Sequence, residues 1–534
     1  MNLGLKQPAK WFRRHHRKAT RDCGRGVWRP VSDRALDRLK KCLVGIRMTL
    51  MLLLSTSPTL AWAQEQPLPD LSQLSLNELA QLEIDSVYGA SKYEQKITDA
   101  PASVTVITAD EIQKHGYRTF ADILRTVRGF YVTYDRNYSF LGVRGFARPG
   151  DYNTRILLLV DGHRLNDNVF DGALLGTEFP LDVDLIDRVE IIRGPSSSVY
   201  GTSAFFGVIN VITKRGAGLN GLGISGELAS FATHKGRFSY GNKFGNGVET
   251  LLSGSFFDSQ GQRSLFFKEF DRPSLNNGVA QNADSDQFEN FFGKLSYQNL
   301  TFTGLYGSRE KGIPTASFGT VFNDPRSRTV EKRGYFDLKY ERNFGNQWDI
   351  TSRIYLDKYG YDGDYLYDQS QNENPFLVLN KDFARGNWWG GELNFGKKLK
   401  GRQILTFGSE YRDNFRQDQY NYDQDPFFQY LDDRRNTKNW AFYIQDEFAL
   451  RKNLTFNLGV RHDHYDTFGG TTNPRLAMIY KPLNKTSVKL LYGAAFRAPT
   501  SYELFWWQNG VTKPNPNLDP ETIRSTELVL EHQI

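Results

Sequence analysis

Ile186-Asp187-Arg188-Val189-Glu190-Ile191-Ile192-Arg193-Gly194-Pro195, then Tyr200-Gly201, then Gly207-Val208-Ile209-Asn210-Val211-Ile212-Thr213, is the stretch whose reading decides the fold. VEIIR (189–193) reads as a strand that Gly194-Pro195 ends in a turn, and VINVIT (208–213) reads as another. Gly194 and Gly201 are wrongly spaced for a phosphate-cradling loop and no lysine follows them, so a nucleotide site is excluded here.

Working toward the N-terminus, RILLLV (155–160) is a buried-type strand closed by Asp161-Gly162. FADILRTV (120–127) has helical spacing and stops at Gly129; Asp110 to Lys114 starts a helix after the β-branched strand SVTVIT (103–108). Residues 93–216 therefore form a small α+β unit. Before it, residues 64–92 are an acidic lead-in. Ser75-Leu76-Asn77-Glu78 has capping-box spacing for a short helix through Leu82, and Glu83 to Tyr88 is a brief extended segment.

The net charge of +7 points to an anionic partner only until its placement is read. Residues 1–63 hold fourteen Lys/Arg against three Asp/Glu, a balance of +11 that leaves −4 for residues 64–534, so no nucleic-acid partner is expected. Lys40, Lys41 and Arg47, the apolar run Met48 to Leu54, and Ala61-Trp62-Ala63 follow the order of a secretory signal peptide. The preceding residues are more than such a signal needs. Both cysteines, Cys23 and Cys42, lie in this leader, so the mature chain is expected to use neither thiol chemistry nor disulfides. No later run is long and apolar enough for a membrane helix; a membrane protein of this sequence has to cross as a barrel.

After Gly216 the texture changes to aromatic-rich segments of period two. Leu454, Phe456, Leu458 and Val460 share one face against Thr455, Asn457, Gly459, Arg461 and Asp463. Leu405, Phe407 and Tyr411 oppose Thr406, Glu410, Arg412 and Asn414; Phe442, Ile444, Phe448 and Leu450 oppose Tyr443, Gln445 and Glu447. Lipid outside and a wet interior produce this pattern, as does a soluble sandwich. Loop lengths separate the two. Tight connections near 245–247, 298–299, 344–346, 398–401 and 483–484 alternate with long polar stretches at 260–287, 308–330, 361–385, 416–437 and 496–523, as in outer-membrane barrels. About fourteen strands are expected, the last from Ile523 to Ile534.

The 93–216 unit closely resembles the plug of TonB-dependent outer-membrane receptors. The resemblance is carried by Asp99-Ala100-Pro101-Ala102-Ser103 onward to Thr108, by Val143-Arg144-Gly145-Phe146, by Leu158-Leu159-Val160-Asp161-Gly162, and by the 186–213 stretch. In the barrel region, Phe496-Arg497-Ala498-Pro499 with Asn515-Pro516-Asn517-Leu518 and Pro520-Glu521 is similar to paired elements of the same family. The resemblance implies a transmembrane antiparallel β-barrel of the 22-stranded type, of which about fourteen strands are present, with an N-terminal α+β plug in its lumen. The implied division is leader 1–63, periplasmic lead-in 64–92, plug 93–216 and incomplete barrel 217–534. With no final strand ending in an aromatic residue, the chain is expected to be a fragment or a truncated product.

The implied function is energised uptake of a scarce nutrient, a ferric siderophore or a cobalamin-like chelate. A non-transporting receptor fragment and a haem or other-substrate receptor are the alternatives. The partners implied are TonB with its inner-membrane energising complex, the metal-chelate cargo and outer-membrane lipid. TonB adds to a short extended segment through main-chain bonds, and Glu83, Ile84, Asp85, Ser86, Val87 and Tyr88 are the best-placed residues. Family topology puts the plug apices at 134–140 and 166–176. Tyr134, Tyr138, Asn168 and Phe170, with Tyr502, Trp506 and Trp507 from the barrel, are the candidate cargo contacts. Arg144, Arg188 and Arg193 are expected to pair with wall carboxylates such as Glu410 or Glu447. Thr500 to Pro514 holds no histidine, His115 and His163 lie in the plug, and His462 is on an apolar strand face, which counts against haem. A passive porin is at odds with a plug. Without Gly-x-Ser-x-Gly, mature cysteine or a metal-spaced cluster, neither an enzyme nor a bound metal or cofactor is expected.

Overall fold

Strands with no polar face need cover on both sides, and the N-terminal unit provides it. In the computed structural model, residues 86–147, 150–345, 347–370, 376–399, 402–483, 485–508 and 512–532 are described. The expected signal peptide, the helix expected from Ser75, and Glu83, Ile84 and Asp85 lie outside the described residues.

β1 (Ser86–Val87) pairs with β2 (Gln95–Lys96). β3 (Ser103–Thr108) leads into α1 (Ala109–His115), whose Thr108–Glu111 capping box and left-handed Gly116 fix its two ends. α2 (Phe120–Arg125) is capped in the same way by Thr119 and Asp122. β4 (Phe130–Tyr134) and β5 (Ser139–Val143) make a hairpin. It is followed by β6 (Ile156–Val160), β7 (His163–Arg164), β8 (Ile186–Arg193), α3 (Ser197–Tyr200) and β9 (Gly207–Thr213). The sheet order is β3-β8-β9-β6-β7, with β6 and β9 parallel.

Side-chain alternation divides the apolar runs between two cores. Ile156, Leu158, Val160, Val189, Ile191, Ile209 and Val211 pack with Ile112, Phe120, Ile123 and Leu124 of the helices. Leu157, Leu159, Ile192 and Val208 pack on the other face with Ala100, Ala102, Tyr200 and the lead-in residues Val87 and Ala90. A Cβ at Gly207 would lie 2.7 Å from the Ile192 carbonyl oxygen, so only glycine lets β9 approach β8 there. In Val143-Arg144-Gly145-Phe146 both central residues have positive φ, 53° and 85°, and the Val143 and Phe146 backbones bond each other reciprocally at 3.0 Å.

After α4 (Gly216–Leu219) the chain forms a fourteen-stranded antiparallel meander. Its first strands are β10 (Gly221–Ala229), β11 (Thr233–Lys243) and β12 (Glu249–Ser259); a small hairpin, β13 (Ser264–Phe266) with β14 (Val279–Gln281), lies in the following loop. Next come β15 (Asp286–Tyr297), β16 (Leu300–Gly312), β17 (Arg328–Phe344), β18 (Trp348–Asp368) and β19 (Leu377–Leu399). β20 (Gln403–Asp423), β21 (Phe428–Arg451), β22 (Leu454–Tyr465), β23 (Gly469–Leu483) and β24 (Thr486–Arg497) follow; α5 (Ser501–Phe505) precedes β25 (Glu521–His532). Order in the sheet is order in the chain, and among the described residues β10 and β25 are its edges.

The outward face is apolar along cross-strand rows. Phe407, Ile444 and Val460 stand side by side and exposed, while Thr406, Gln445, Asn457 and Asp463 are buried on the opposite face. A lipid-facing band requires this arrangement.

Two expected loops are strand. Residues 361–385 and 416–437 mostly prolong β18–β21, which run 21 to 24 residues and leave 369–376 and 424–427 between them. About 9–11 residues cross a bilayer. The surplus stands in water, where the ladder persists but the outward side chains need not be apolar, so the period-two signal fades.

The α+β unit lies against the concave face of this sheet, and wall cations hold its main chain. Arg475 donates to the Ala90 carbonyl (3.1 Å) and to that of Pro101, and Lys489 to those of Ile97 and Ala102 (3.1 Å each). Arg333 reaches the Leu165 carbonyl (2.9 Å), and Lys294 pairs with Asp161 (2.9 Å). The expected arginine pairing holds in kind for Arg144 alone, which grips Glu527 of β25 with two bonds of 2.7 Å. Arg188 pairs within its own unit, with Glu190 (2.9 Å) and Asp187 (3.2 Å), and Arg193 donates to the Arg128 carbonyl and the Thr105 hydroxyl. Glu410 is occupied by Lys92 (2.6 Å) and Arg461 (2.7 Å), and Glu447 by the Tyr93 hydroxyl (2.7 Å). Those two carboxylates sit beside the lead-in rather than beside the three arginines.

Candidate functional site

Where β17–β21 rise beyond the lipid band, their inner faces and the apices of the α+β unit enclose a cup of about 380 Å³. Its wall is built by alternation. Tyr359, Tyr361, Tyr365 and Tyr367 occupy every second position of β18 from 359 to 367 except Gly363, and all four line the cup. Asn380 and Asp382 of β19 face Asn421 and Asp423 of β20 in the same way, with the Asn380 and Asn421 amides bonded reciprocally at 3.0 and 2.9 Å.

The floor belongs to the α+β unit. Asp167 accepts the amides of Val169 (2.7 Å), Phe170 (2.7 Å) and Gly172 (2.9 Å), which folds the 166–172 apex and points Phe170 upward. Burial raises the Asp167 pKa in spite of those bonds. The Phe170 ring packs 5.2 Å from Tyr152 and 5.3 Å from Tyr502, and Tyr502 lies 5.2 Å from Trp506. Burial first, then the charges of Asp382 and Glu503, push the Tyr502 hydroxyl up to about 12. On the second apex, Asp135 accepts the Asn137 and Tyr138 amides, and the Tyr138 hydroxyl donates to Glu331 of the wall (2.7 Å).

Five of the seven expected contact residues, Tyr138, Phe170, Tyr502, Trp506 and Trp507, line the cup together. Tyr134 does not; it ends β4 with its side chain exposed. Asn168 is buried against β20, donating to the Arg416 carbonyl (3.0 Å) while its own carbonyl accepts from Gln417. It anchors the apex to the wall. Sequence reasoning missed Asp382, Asp423, Tyr361, Tyr365 and Tyr367 because it read their segments as loop, and Glu331 and Tyr359 because they border those segments without standing in a clear apolar alternation. The odd-numbered tyrosines 359, 361, 365 and 367 are the signal that marks one face of a strand.

A second arrangement lies at the other end of the unit. Ser86, Val87 and Tyr88 are the described part of the extended segment from Glu83. Val87 is fully buried in the second core, and Glu190, itself fully buried, accepts the Tyr88 amide (3.2 Å) and the Gly89 amide (2.9 Å). Arg188 and the Asn210 amide hold Glu190 in place. Beyond it, Lys92 bridges Glu392 (2.5 Å) and Glu410 (2.6 Å) of the wall. The segment is thus latched to the α+β unit and moored to the wall.

Among the described residues no group of three or more His, Cys, Asp or Glu is placed to hold a metal ion.

The family profile described as "TonB-dependent Receptor Plug Domain" matches residues 96–208, and "TonB dependent receptor-like, beta-barrel" matches residues 274–533. A vitamin B12 transporter of Vibrio vulnificus is 27% identical over 491 residues, covering 88% of this chain and 71% of its own. An iron-regulated outer membrane virulence protein of Vibrio cholerae is 26% identical, covering 93% and 70%. Among solved structures, a ferric enterobactin receptor of Pseudomonas aeruginosa in complex with enterobactin superposes with a TM-score of 0.61 at 19% identity, covering 82% and 70%. That last likeness concerns the fold.

Proposed function

This chain belongs to the TonB-dependent receptors of the outer membrane, and from that premise we propose that it takes up a scarce nutrient as a metal chelate, a ferric siderophore or a cobalamin-like compound, with energy delivered through TonB. Members of the family are receptors and transporters rather than enzymes. The observation that carries the reading is the cup. Its floor is the plug itself, so a cargo resting on Phe170 and Tyr138 moves inward only when the plug rearranges. Such a rearrangement has to be driven, because the plug is held to the wall by ion pairs such as Asp161 with Lys294 and Arg144 with Glu527. The vitamin B12 transporter and the iron-regulated protein among its relatives support the cargo class.

Glu83 to Tyr88 is the segment we assign to TonB. Its described end, Ser86–Val87, already pairs with β2, so strand addition by TonB follows release from Glu190 and the second core. No histidine is among the described residues lining the cup, which favours a chelate over histidine-ligated haem. The test is uptake of labelled cyanocobalamin and of ferric siderophores by cells starved of cobalamin or iron, with and without residues 83–88. The deletion is expected to abolish uptake and leave binding intact. Unchanged uptake in the deletion refutes the assignment.

A further inference from the structure

The cup is charged in one sense. Asp135, Asp167, Glu178, Glu331, Asp382 and Asp423 line it, and no lysine, arginine or histidine does so among the described residues. Their hydrogen-bond donors are backbone amides, phenols and carboxamides. Glu178 accepts the Leu175 and Gly176 amides; Asp423 accepts from Asn380 and the Tyr430 hydroxyl. None of the six makes an ion pair among the described residues. Two arginines stand behind the lining, and each is committed elsewhere: Arg309 to Asp286 (3.0 Å), Arg333 to Asp357.

Two of these carboxylates are buried and incompletely satisfied. Glu331 and Glu178 are more than nine-tenths buried, and one oxygen of each, Oε2, accepts no hydrogen bond although both residues face the cup. A carboxyl group in such surroundings is costly to ionise unless a donor or a cation reaches its bare oxygen. The missing partner is not a metal ion held by the protein, since no three acidic or histidine side chains converge on one point among the described residues. Around the carboxylates stand aromatic faces, with Phe170 at the floor, Tyr361 on the wall, and Tyr502, Trp506 and Trp507 from the segment that follows β24. Such faces attract cations and apolar surfaces alike.

On the reading that this cup is the cargo site, we propose that its cargo is a cationic or uncharged chelate that presents N–H or O–H donors and an apolar face, and that the cup rejects polyanionic chelates. A polyanion entering here meets six carboxyl groups and no cation to pair with, whereas an ammonium or amide-rich surface completes Glu331 and Glu178 and stacks on the rings.

One scaffold at three charges tests this. The ferric trihydroxamate ferrioxamine B carries a free amine and is a monocation; its N-acetyl form is uncharged and its N-succinyl form a monoanion. Each is titrated against the full chain in detergent by quenching of tryptophan fluorescence, with cyanocobalamin as an uncharged probe of the other cargo class. The expected order is cation, then neutral, then anion, with about tenfold or more between the ends. In Asp382→Asn and Glu331→Gln the gap is expected to shrink, and Asp382→Asn, a half-buried rim position, serves where Glu331→Gln fails to fold. Equal binding of the three charges, or preference for the anion, overturns the charge inference and leaves the cup as a cargo site. Failure of all four probes to bind, or binding that survives Phe170→Ala undiminished, overturns both.

Discussion

Replacing Glu190 by glutamine should loosen the lead-in without unfolding the plug. The carboxylate accepts the Tyr88 and Gly89 amides, and it is fully buried between them, Arg188 and Asn210. Glutamine keeps the shape and one acceptor oxygen. Its NH₂ group then faces N–H donors, and Asn210 cannot turn to help, because its own oxygen already accepts the Gly162 amide (3.1 Å). Bonds to a charged acceptor contribute about 1.5–3 kcal/mol. Losing one at the latch should cost about 2 kcal/mol, which is about thirtyfold in the population of released segment. Burial of Val87 remains, so release stays a minority event. Hydrogen exchange by mass spectrometry reads this directly, in peptides covering 86–92 against β6, 156–160, as an internal reference. Protection of 86–92 should fall about thirtyfold while β6 is unchanged. If protection at 86–92 does not change, Glu190 is not the latch. If both peptides lose protection together, the substitution has destabilised the whole plug and the local argument is wrong.

Lys92→Met removes the cation that Glu392 and Glu410 share; Glu410 keeps Arg461, but Glu392 loses its ion pair, which should lower the denaturation midpoint by the equivalent of about 3 kcal/mol, read by thermal melts in detergent. Phe170→Ala takes away the ring that touches Tyr152 and Tyr502, and should weaken cargo binding about tenfold with little change in melting temperature, measured by fluorescence titration. Ile444→Arg puts a charge in the middle of the apolar row with Phe407 and Val460, and should cost about 2–4 kcal/mol of stability in bilayers. A soluble-surface reading of that row predicts no cost, so folding titrations into lipid vesicles decide between the two.

The plug was legible in the sequence because its strands are covered on both faces. The run Leu157 to Val160 has to be apolar throughout, Val208 to Ile212 is apolar but for Asn210, and the helical spacing that begins at Phe120 stops at Gly129. The lower barrel was legible for the opposite reason: lipid on one side and water on the other force alternation, as at 454–463. The upper barrel was not. Between Tyr361 and Arg385 polar and aromatic residues outnumber aliphatic ones and no apolar face alternates through the segment, so a composition-based reading yields a loop although the ladder pairs Tyr361↔Ala384 and Asp364↔Lys381. Arginine partners were also beyond reach. Arg188 and Arg144 look alike in sequence, yet one faces a neighbour two residues away and the other a strand 383 residues on.

Cup and latch are joined by strands with little polar slack. Asn166, at the base of the apex that carries Phe170, donates to the Ile156 carbonyl (3.0 Å) and accepts the Leu158 amide (3.0 Å); β6 lies in register beside β9, and β9 carries Asn210 to Glu190. A rigid sheet transmits a displacement but stores no choice, and coupling needs an element with two arrangements. The lead-in has that character. What holds it is Val87, about 1.5–3 kcal/mol of burial, and the two bonds to Glu190, about 3–6 kcal/mol together. That range brackets the roughly 5.5 kcal/mol of differential affinity needed to carry a two-state element from one side to the other. A cargo that presses differently on the apex in the two arrangements shifts the latch by as much as its two affinities differ. One that fits both equally shifts nothing, however tightly it is held. Affinity at Phe170 and release at Glu190 are then separate quantities: a ligand can fill the cup, block the cargo and leave Ser86 to Tyr88 where they are.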